Sequence, residues 1–401
     1  MSTLAELLSL GESEKAVRGL EHTPKEIAQQ PESWLSTFEI FRRRREQIAE
    51  FLGRAGIGAS AGPPPTVFLI GAGTSDYIGQ SLTYLLRRHW SCEVIAVPST
   101  DLLTHMDEWM IPEEKYLWVS FSRSGDSPEG VAVLEGARKK HPEIPHLVVS
   151  CNAKGRMIRE NADDPQVLGI CLDDAVNDRG LAMTSSFSNM VIFGQCLAHV
   201  NDAARYEEIL GQLVRAGRDF LPQAAKCAAT LAKGEYTKAC FVGSGPLRAV
   251  AKESALKLLE LTAGKTLTMS ESVLGLRHGP MAALDASTLF VCFLSSDPRV
   301  RAYERDLLDE IGKKRLVGCR VVVGGNDTSG HNSVAEHHAE HHLDLASNAA
   351  DAIADDYRPV VDVMFGQLLG LFGSLRWNLR PDFPSPNGAI SRVVQNVNIH
   401  S

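Results

Sequence analysis

Serine, threonine and glycine residues cluster at two points where a short apolar run of this chain ends. The first is Gly71–Ser75, the glycine loop, and the second is Ser122–Ser127, the serine loop, which continues into Pro128. Pro128 suits the first position of a helix, with Ser127 as its N-cap. Free N–H groups and the helix dipole attract an anion there, and hydroxyls could surround the same oxygens. Either loop alone could be an ordinary turn, but two at adjacent strand ends favour phosphate binding.

A narrow polar stripe on a predicted helix is the second group suited to chemistry. The helix runs from Arg248 to Ala263, and at 100° per residue Glu253, Lys257 and Glu260 fall within about 60° of one another. Apolar residues occupy most of the remaining surface, which is typical of a buried helix. A buried Glu-Lys-Glu set is costly unless it is paired or functional. The stripe therefore indicates either a general base beside a lysine or a solvent-facing Glu–Lys pair.

Histidine residues form the third group. His278 lies in a predicted loop and could transfer a proton near neutral pH, although a lone loop histidine is more often simply exposed. A histidine cluster has i,i+4 spacings that could hold a metal on a helix; its members are His337, His338, His341 and His342. Because no cysteine is near and the segment is polar throughout, we expect a solvated patch and no metal site.

The elements that would position these groups are short apolar strands that alternate with helices. Val67–Ile70 leads into the glycine loop, Leu117–Phe121 leads into the serine loop, and further runs lie at Val94–Val97 and Leu147–Val149. This alternation predicts an α/β fold with a parallel sheet. Ligands of such sheets bind beyond the carboxyl ends of the strands, where both loops lie.

The same order of strand and loop returns later in the chain. Gly243 follows Gly71 by 172 residues, and Ser295 follows Ser122 by 173. The sequence therefore predicts two doubly wound parallel-sheet (flavodoxin-like) units in tandem. We place an N-terminal helical segment at 1–50, the first unit at 51–204, the second unit with a bridging helix at 205–375, and a C-terminal tail at 376–401.

Composition and charge exclude several classes of protein. Apolar residues make up 44% and charged residues 22%, which are ordinary globular values, and no apolar run approaches the roughly 18 residues that span a bilayer. The net charge of −8 argues against a nucleic-acid partner. No signal peptide is visible and the eight cysteines include no C-x-x-C pair, so we expect a cytoplasmic protein with reduced thiols.

Cofactor motifs are also missing from the sequence. Asp76 stands where a dinucleotide-binding loop needs its third glycine, and a carboxylate there would repel a pyrophosphate. No G-x-x-x-x-G-K-[ST] phosphate-binding sequence occurs. We therefore expect neither a nicotinamide nor a flavin cofactor.

Several stretches resemble the SIS (sugar isomerase) superfamily. Within it, the chain looks most like the AgaS-type galactosamine-6-phosphate deaminase/isomerases, also described as tagatose-6-phosphate ketose/aldose isomerases. The matching stretches are G-A-G-T-S at Gly71–Ser75, S-R-S-G-D-S-P-E at Ser122–Glu129, Asn177–Ser186, Glu253–Lys265, R-H-G-P at Arg277–Pro280 and Ser391–Val397. The isomerase half of glucosamine-6-phosphate synthase is also similar, but no glutamine amidotransferase domain precedes these stretches, so we do not expect the synthase reaction.

The resemblance implies a role for each matching residue. The ligands of a sugar 6-phosphate group would be Ser75, Ser122, Arg123, Ser124 and Ser127. The residues lining the sugar would be Gly73, Thr74, Thr184, Ser185 and Arg392, the last of which falls where the synthase has a tail lysine. Glu260 would move a proton between C1 and C2, Glu253 and Lys257 would support it, and His278 would open the sugar ring.

By this resemblance the chain would convert galactosamine 6-phosphate to tagatose 6-phosphate and ammonium without a cofactor or metal. Isomerisation without deamination uses the same residues and stays open, as does a regulator that binds a sugar phosphate without catalysis. In the synthase the histidine reaches across a dimer interface, which implies a homodimer here with the active site at or near the interface. No membrane partner is expected.

Overall fold

The computed structural model describes residues 3–58, 62–324, 339–345, 353–385, 387–388, 390–394 and 397–400. Its strands are β1 (Thr66–Gly71), β2 (Val94–Pro98), β3 (Tyr116–Ser122), β4 (His146–Ser150), β5 (Val167–Cys171), β6 (Lys238–Gly243), β7 (Leu267–Ser272), β8 (Thr288–Phe293), β9 (Cys319–Val323) and β10 (Ala339–Leu343). Its α-helices are α1 (Leu4–Ser9), α2 (Glu12–Arg18), α3 (Thr23–Ala28), α4 (Gln30–Arg54), α5 (Thr74–Trp90), α6 (Ser99–Trp109), α7 (Pro128–Lys140), α8 (Arg156–Arg159), α9 (Ser185–Ala198), α10 (Ala203–Leu231), α11 (Pro246–Leu261), α12 (Pro298–Lys314) and α13 (Pro359–Arg376).

The chain divides into two compact units, each assembled from separate stretches of sequence. The serine-loop unit comprises Glu32–Asp178, Ser185–Leu210 and Ser391–Ser401 and contains β1–β5. The stripe unit comprises Met1–Pro31, Arg179–Thr184 and Gly211–Ile390 and contains β6–β10.

Each unit is built on a five-stranded parallel sheet. The strand order is β2-β1-β3-β4-β5 in the serine-loop unit and β7-β6-β8-β9-β10 in the stripe unit, so the order within each sheet is the same. α-Helices connect most successive strands within the described residues, and two 3-10 turns lie between β7 and β8. The predicted α/β class with two doubly wound parallel sheets is confirmed.

Several strands with continuous apolar runs are predicted correctly from the sequence. The residues of β1, β3, β6 and β8 are almost all buried, and each of these strands lies inside its sheet. The sequence analysis does not identify β5, β7, β9 or β10. The edge strand β7 is only partly buried and carries polar residues at alternate positions, so it has no continuous apolar run to detect.

Glycines at corresponding places shape the first strand-to-helix turn of each unit. Gly73 has φ +56° and Gly245 has φ +55°, a region that favours glycine. A side chain on Gly71 would place its Cβ 2.3 Å from the backbone of Ser75, so the helix can follow the strand this closely only with glycine there. The turn sets the N-terminus of α5 at the carboxyl end of β1.

The predicted N-terminal segment is helical, with α1–α4, and the predicted bridging helix is present as α10. All eight cysteines are free thiols. Among the described residues, no helix combines the length and the apolar character that a membrane crossing needs.

A buried histidine makes the stability of the serine-loop unit depend on pH. His146 begins β4, is fully buried and packs edge-on against Trp118. Burial, with a smaller effect of Arg138, lowers the pKa of His146 to about 4. In an unfolded chain a histidine titrates near 6.5, so the unfolded state takes up this proton first as pH falls.

We expect the contribution of His146 to the free energy of unfolding to be constant above pH 6.5. Between pH 6.5 and 4 this contribution should lower the free energy of unfolding progressively. The contribution of His146 at pH 4.5 is a loss of about 2–3 kcal/mol. Denaturant unfolding at pH 7 and pH 4.5 measures it: His146→Leu removes that part of the loss, whereas the same change at the exposed His400 leaves it intact. An equal pH dependence in His146→Leu and the wild type would contradict the assignment.

Candidate active site

The glycine loop and the serine loop leave the same edge of one sheet. β1 and β3 pair in parallel, and the two loops follow their carboxyl ends. α5 begins at Thr74 within the glycine loop, and α7 begins at Pro128 with Ser127 as N-cap, as the sequence predicts. Two helix N-termini therefore start at the ligand edge of this sheet, which suits an anion.

The serine loop is held in shape by its own hydroxyls. Ser122 Oγ accepts a hydrogen bond from the N–H of Gly125 at 3.1 Å, and Ser124 Oγ accepts one from the N–H of Asp126 at 3.1 Å. A hydroxyl that accepts such a bond keeps its proton for a ligand. The Ser127 side chain makes no capping bond to α7. All three hydroxyls thus have a proton to donate to an anion.

A segment of the C-terminal tail lies against the serine loop. The Arg123 guanidinium is buried and donates to the carbonyl oxygen of Arg392, and the Arg392 side chain donates to the carbonyl oxygen of Asp178 and to Asn177 Oδ1. The Asp178 carboxylate in turn accepts the N–H of Ser185 at 3.0 Å and caps α9. The structure therefore brings Arg123, Arg392 and Ser185 into one hydrogen-bonded network.

Asn177 and Asp178 are members of this network whose roles the sequence analysis did not predict. They stand at the start of the stretch 177–186, which the sequence analysis picked out only as a family motif. Asp178 stands seven residues before α9, so it caps the helix from outside the N-cap position and no local pattern marks it.

The polar stripe is buried in the stripe unit. Glu253 and Lys257 expose 0% and 1% of their side chains, so the solvent-facing alternative is excluded for this pair. Lys257 Nζ lies 3.5 Å from Glu253 Oε1 and also forms a short hydrogen bond with Glu260. Glu260 exposes 30% of its side chain and is the member of the stripe that reaches the surface. A carboxylate anchored by a buried lysine and open on its other side has the form of a general base.

Two glycines on α13 allow α11 to pack closely against it. A Cβ on Gly366 would lie 2.7 Å from the Cα of Ser254, and one on Gly370 would lie 2.8 Å from the carbonyl oxygen of Lys257. Larger residues would push α11 away at the level of Lys257. The position of the stripe thus depends on residues more than a hundred positions away in the chain.

Thr184 and His278, the other predicted residues of the stripe unit, lie in loops. The carbonyl oxygen of Thr184 accepts a hydrogen bond from Gln367 on α13, and the Gln367 side chain accepts one from Gln30. His278 is exposed between two short 3-10 turns that follow β7, outside the stripe.

The loop of the stripe unit that corresponds to the serine loop is filled by the chain's own carboxylates. Asp355 accepts hydrogen bonds from the hydroxyl of Ser295 and from the N–H of Ser296, and Glu304 accepts the N–H of Ser295. Burial raises the pKa of Glu304. An added anion would meet these carboxylates rather than donors, so the serine loop is the better phosphate site of the two.

The histidine cluster has a geometry different from the predicted helical one. His341 and His342 lie on β10, where successive side chains point to opposite faces of the sheet, so they do not belong to a helical i,i+4 set. His337 and His338 lie outside the described residues. Among the described residues, no group of three or more potential ligands could hold a metal ion.

Known proteins match this chain over nearly its whole length. It is 38% identical over 390 residues to an AgaS protein of Streptomyces coelicolor, covering 95% of each chain. It is 32% identical over 396 residues to the D-galactosamine-6-phosphate deaminase AgaS of Escherichia coli, covering 94% of this chain and 95% of that one. The crystal structure of tagatose-6-phosphate ketose/aldose isomerase from Escherichia coli superimposes with a TM-score of 0.82 at 29% identity and covers 94% of this chain and 96% of that one. No protein-family model matches.

Two parallel five-stranded sheets with flanking helices, a serine loop and a buried Glu-Lys-Glu stripe define a sugar-phosphate enzyme with two SIS domains in tandem. Sequence identity above 30% to AgaS proteins over nearly the full length identifies the family within this class. The chain belongs to the AgaS family.

Proposed function

We propose that the protein is a galactosamine-6-phosphate deaminase that also isomerises the sugar. The observation that carries this proposal is the stripe, in which the buried Lys257 holds the partly exposed carboxylate of Glu260. The D-galactosamine-6-phosphate deaminase of Escherichia coli matches nearly the whole chain. Proton transfer between neighbouring carbons needs one such base, and it needs no cofactor.

In the proposed mechanism His278 first opens the sugar ring by giving a proton to the ring oxygen as the C1 hydroxyl loses one. Glu260 then removes the proton from C2 of the open aldehyde while O1 takes up a proton, which forms an enolamine. Glu260 returns the C2 proton to C1 as the amino nitrogen loses a proton. The product is a ketimine at C2. Water adds to that carbon and the C–N bond breaks, leaving tagatose 6-phosphate and ammonia, which takes up a proton. Lys257 and Glu253 keep the Glu260 carboxylate in place through these steps.

The protein would bind the sugar through its 6-phosphate group. We assign it to the hydroxyls of Ser75, Ser122, Ser124 and Ser127, with the charge of Arg123 acting from its buried position. Gly73, Thr74, Thr184, Ser185 and Arg392 would line the sugar. Holding the substrate at a group remote from C1 and C2 contributes orientation, which can lower a barrier by up to roughly 7–11 kcal/mol.

The second candidate is a ketose/aldose isomerase that releases no ammonium. Similarity to the tagatose-6-phosphate ketose/aldose isomerase of Escherichia coli favours it. Purified protein should be given galactosamine 6-phosphate, glucosamine 6-phosphate and tagatose 6-phosphate in parallel. Ammonium release from the galacto sugar supports the deaminase. Interconversion of tagatose 6-phosphate with its aldose, without ammonium release, supports the isomerase. A protein that binds these sugars and converts none of them is a regulator, and the proposed activity is then wrong.

We also propose a cytoplasmic homodimer in which His278 acts on the substrate bound by the partner subunit. Its exposed position on a loop outside the stripe fits such a role.

The similar strand order of the two units supports their origin as two copies of one unit.

Mixed dimers test the role of His278 across subunits. Glu260→Gln and His278→Asn chains, each carrying a different affinity tag, should be co-expressed and the mixed dimer isolated with both tags. If His278 acts across the interface, one site of the mixed dimer keeps an intact glutamate and an intact histidine, so about half of the wild-type kcat per dimer returns. If both residues act within one chain, each site lacks one of them. A mixed dimer as inactive as its parents would refute action across the interface.

A further inference from the structure

The chain that follows β4 holds the backbone of the serine loop. We define the support segment as Cys151–Met157. Three consecutive carbonyl oxygens of the serine loop accept hydrogen bonds from it: that of Arg123 from the N–H of Cys151 at 3.2 Å, that of Ser124 from Asn152 Nδ2 at 2.8 Å, and that of Gly125 from the N–H of Met157 at 3.0 Å. One of these three donors is a side chain, that of Asn152.

These bonds decide which face of the serine loop carries donors. In a planar trans peptide the C=O and the N–H point in opposite directions. With the carbonyls turned to the support segment, the N–H groups of Ser124, Gly125 and Asp126 point the other way. Two of them meet the hydroxyls of Ser122 and Ser124, so these hydroxyls also lie on the face away from the support segment. That face therefore presents donors, and the acceptors are hidden.

The single carboxylate of the serine loop is turned toward the support segment as well. Asp126 Oδ1 accepts the N–H of Arg156 at 2.9 Å, and Asp126 Oδ2 accepts a bond from Asn152 Nδ2 at 3.3 Å. The Asn152 amide thus contacts both the carbonyl of Ser124 and the charge of Asp126, the two groups that would repel an anion. Its Oδ1 accepts the N–H of Lys154 at 3.1 Å, which fixes the amide orientation.

We propose that Asn152 is a positioning residue for phosphate recognition, which rests on the proposed binding of the sugar 6-phosphate by the serine loop. Asn152 does not touch the ligand. It keeps the Ser124 carbonyl and the Asp126 carboxylate away from the face that binds the anion. Without the amide, the Ser124 peptide can rotate and the carboxylate can swing toward the phosphate, so affinity for the anion falls while the chemistry at C1 and C2 is unaffected.

A second, independent contact fixes the distance between the serine loop and the support segment. A Cβ on Gly155 would lie 2.5 Å from the carbonyl oxygen of Ser124 and 2.8 Å from the Cα of Gly125. The backbone at Gly155 is conformationally open to alanine, with φ −62°. Gly155→Ala would therefore act by crowding the serine loop, without removing any side chain.

The test is calorimetric titration of the full-length protein with inorganic phosphate and with galactosamine 6-phosphate, together with steady-state kinetics. In Asn152→Ala we expect both dissociation constants and KM to rise about three- to tenfold, the value of one hydrogen bond, and kcat to stay within about twofold. Asn161→Ala is the matched control. Its amide donates to the carbonyl oxygen of Met157 in the support segment and its Oδ1 accepts a bond from Arg138, so Asn161→Ala loosens the support segment without removing a bond to the serine loop.

A double variant separates positioning from general loosening. If Asn152 restrains the charge of Asp126, then Asp126→Asn should restore part of the phosphate affinity of Asn152→Ala, because a neutral amide that swings outward repels the anion less. A purely structural role predicts no restoration. Gly155→Ala is the alternative test if Asn152→Ala does not fold, and it should also weaken phosphate binding.

The outcomes are distinct. Unchanged phosphate affinity in folded Asn152→Ala overturns the inference. A wild-type protein that binds phosphate but releases no ammonium overturns only the proposed reaction, since the titration still tests Asn152. A wild-type protein that binds no phosphate overturns both the serine-loop assignment and this inference.

Discussion

Replacement of Glu260 by glutamine is expected to lower kcat by about 10²- to 10⁴-fold and to leave the affinity for galactosamine 6-phosphate nearly unchanged. Glutamine has the size of glutamate and retains an oxygen that can accept the hydrogen bond from Lys257. Its amide cannot take the proton from C2. The lost interaction belongs to the transition state and not to ground-state binding, so kcat and kcat/KM should fall together.

The rate of ammonium release and the exchange of the C2 proton with deuterated water measure this effect. Glu271→Gln is the matched control, because Glu271 is also half-buried, lies in the stripe unit and pairs with Arg248 at 2.9 Å, outside the stripe. Exchange at C2 should disappear in Glu260→Gln and persist in Glu271→Gln. Exchange at the wild-type rate in Glu260→Gln would show that another group is the base.

Replacement of Lys257 by methionine should lower the free energy of unfolding by about 3–5 kcal/mol. Methionine fills most of the same volume, but the buried carboxylate of Glu253 loses the cation 3.5 Å away and Glu260 loses its anchor. Denaturant unfolding at neutral pH measures the loss. Lys252→Met, on the same helix at a half-buried position, should change the free energy of unfolding far less.

A second substitution shows whether charge or packing is responsible. Glu253→Leu in the Lys257→Met background removes the buried carboxylate and should restore most of the lost stability, since a buried ion pair can often be replaced by apolar residues. It should not restore activity, because Glu260 remains without its lysine. Equal stability of the single and double variants would contradict a dominant electrostatic cost.

Local patterns explain why much of the site could be predicted. The serine loop and the glycine loop each follow a buried strand, and parallel pairing brings such strand ends to one edge regardless of what else the chain does. The stripe is visible because helical periodicity aligns residues 253, 257 and 260. The order of strand and loop, offset by 172 residues, anticipates two sheets of the same strand order.

Burial decides between the two interpretations that the stripe allows. Glu253, Lys257 and Glu260 would have the same spacing on a solvent-facing helix. α13 makes the difference, since its glycines at 366 and 370 let it lie directly on α11 and cover Lys257. No local pattern in the residues around 257 reveals that a distant helix packs there.

The sequence by itself determined which candidate residues are suited to chemistry: hydroxyls after two buried strands, a Glu-Lys-Glu stripe and a loop histidine. These depend on residue type and on spacing within one element, and both can be read along the chain. Only the tertiary structure decided what holds them. Asn152 bonds a carbonyl 28 residues away, and Arg123 bonds a carbonyl 269 residues away. Such contacts join segments distant in sequence and follow no period, so they exist only once the sheet and its loops have come together.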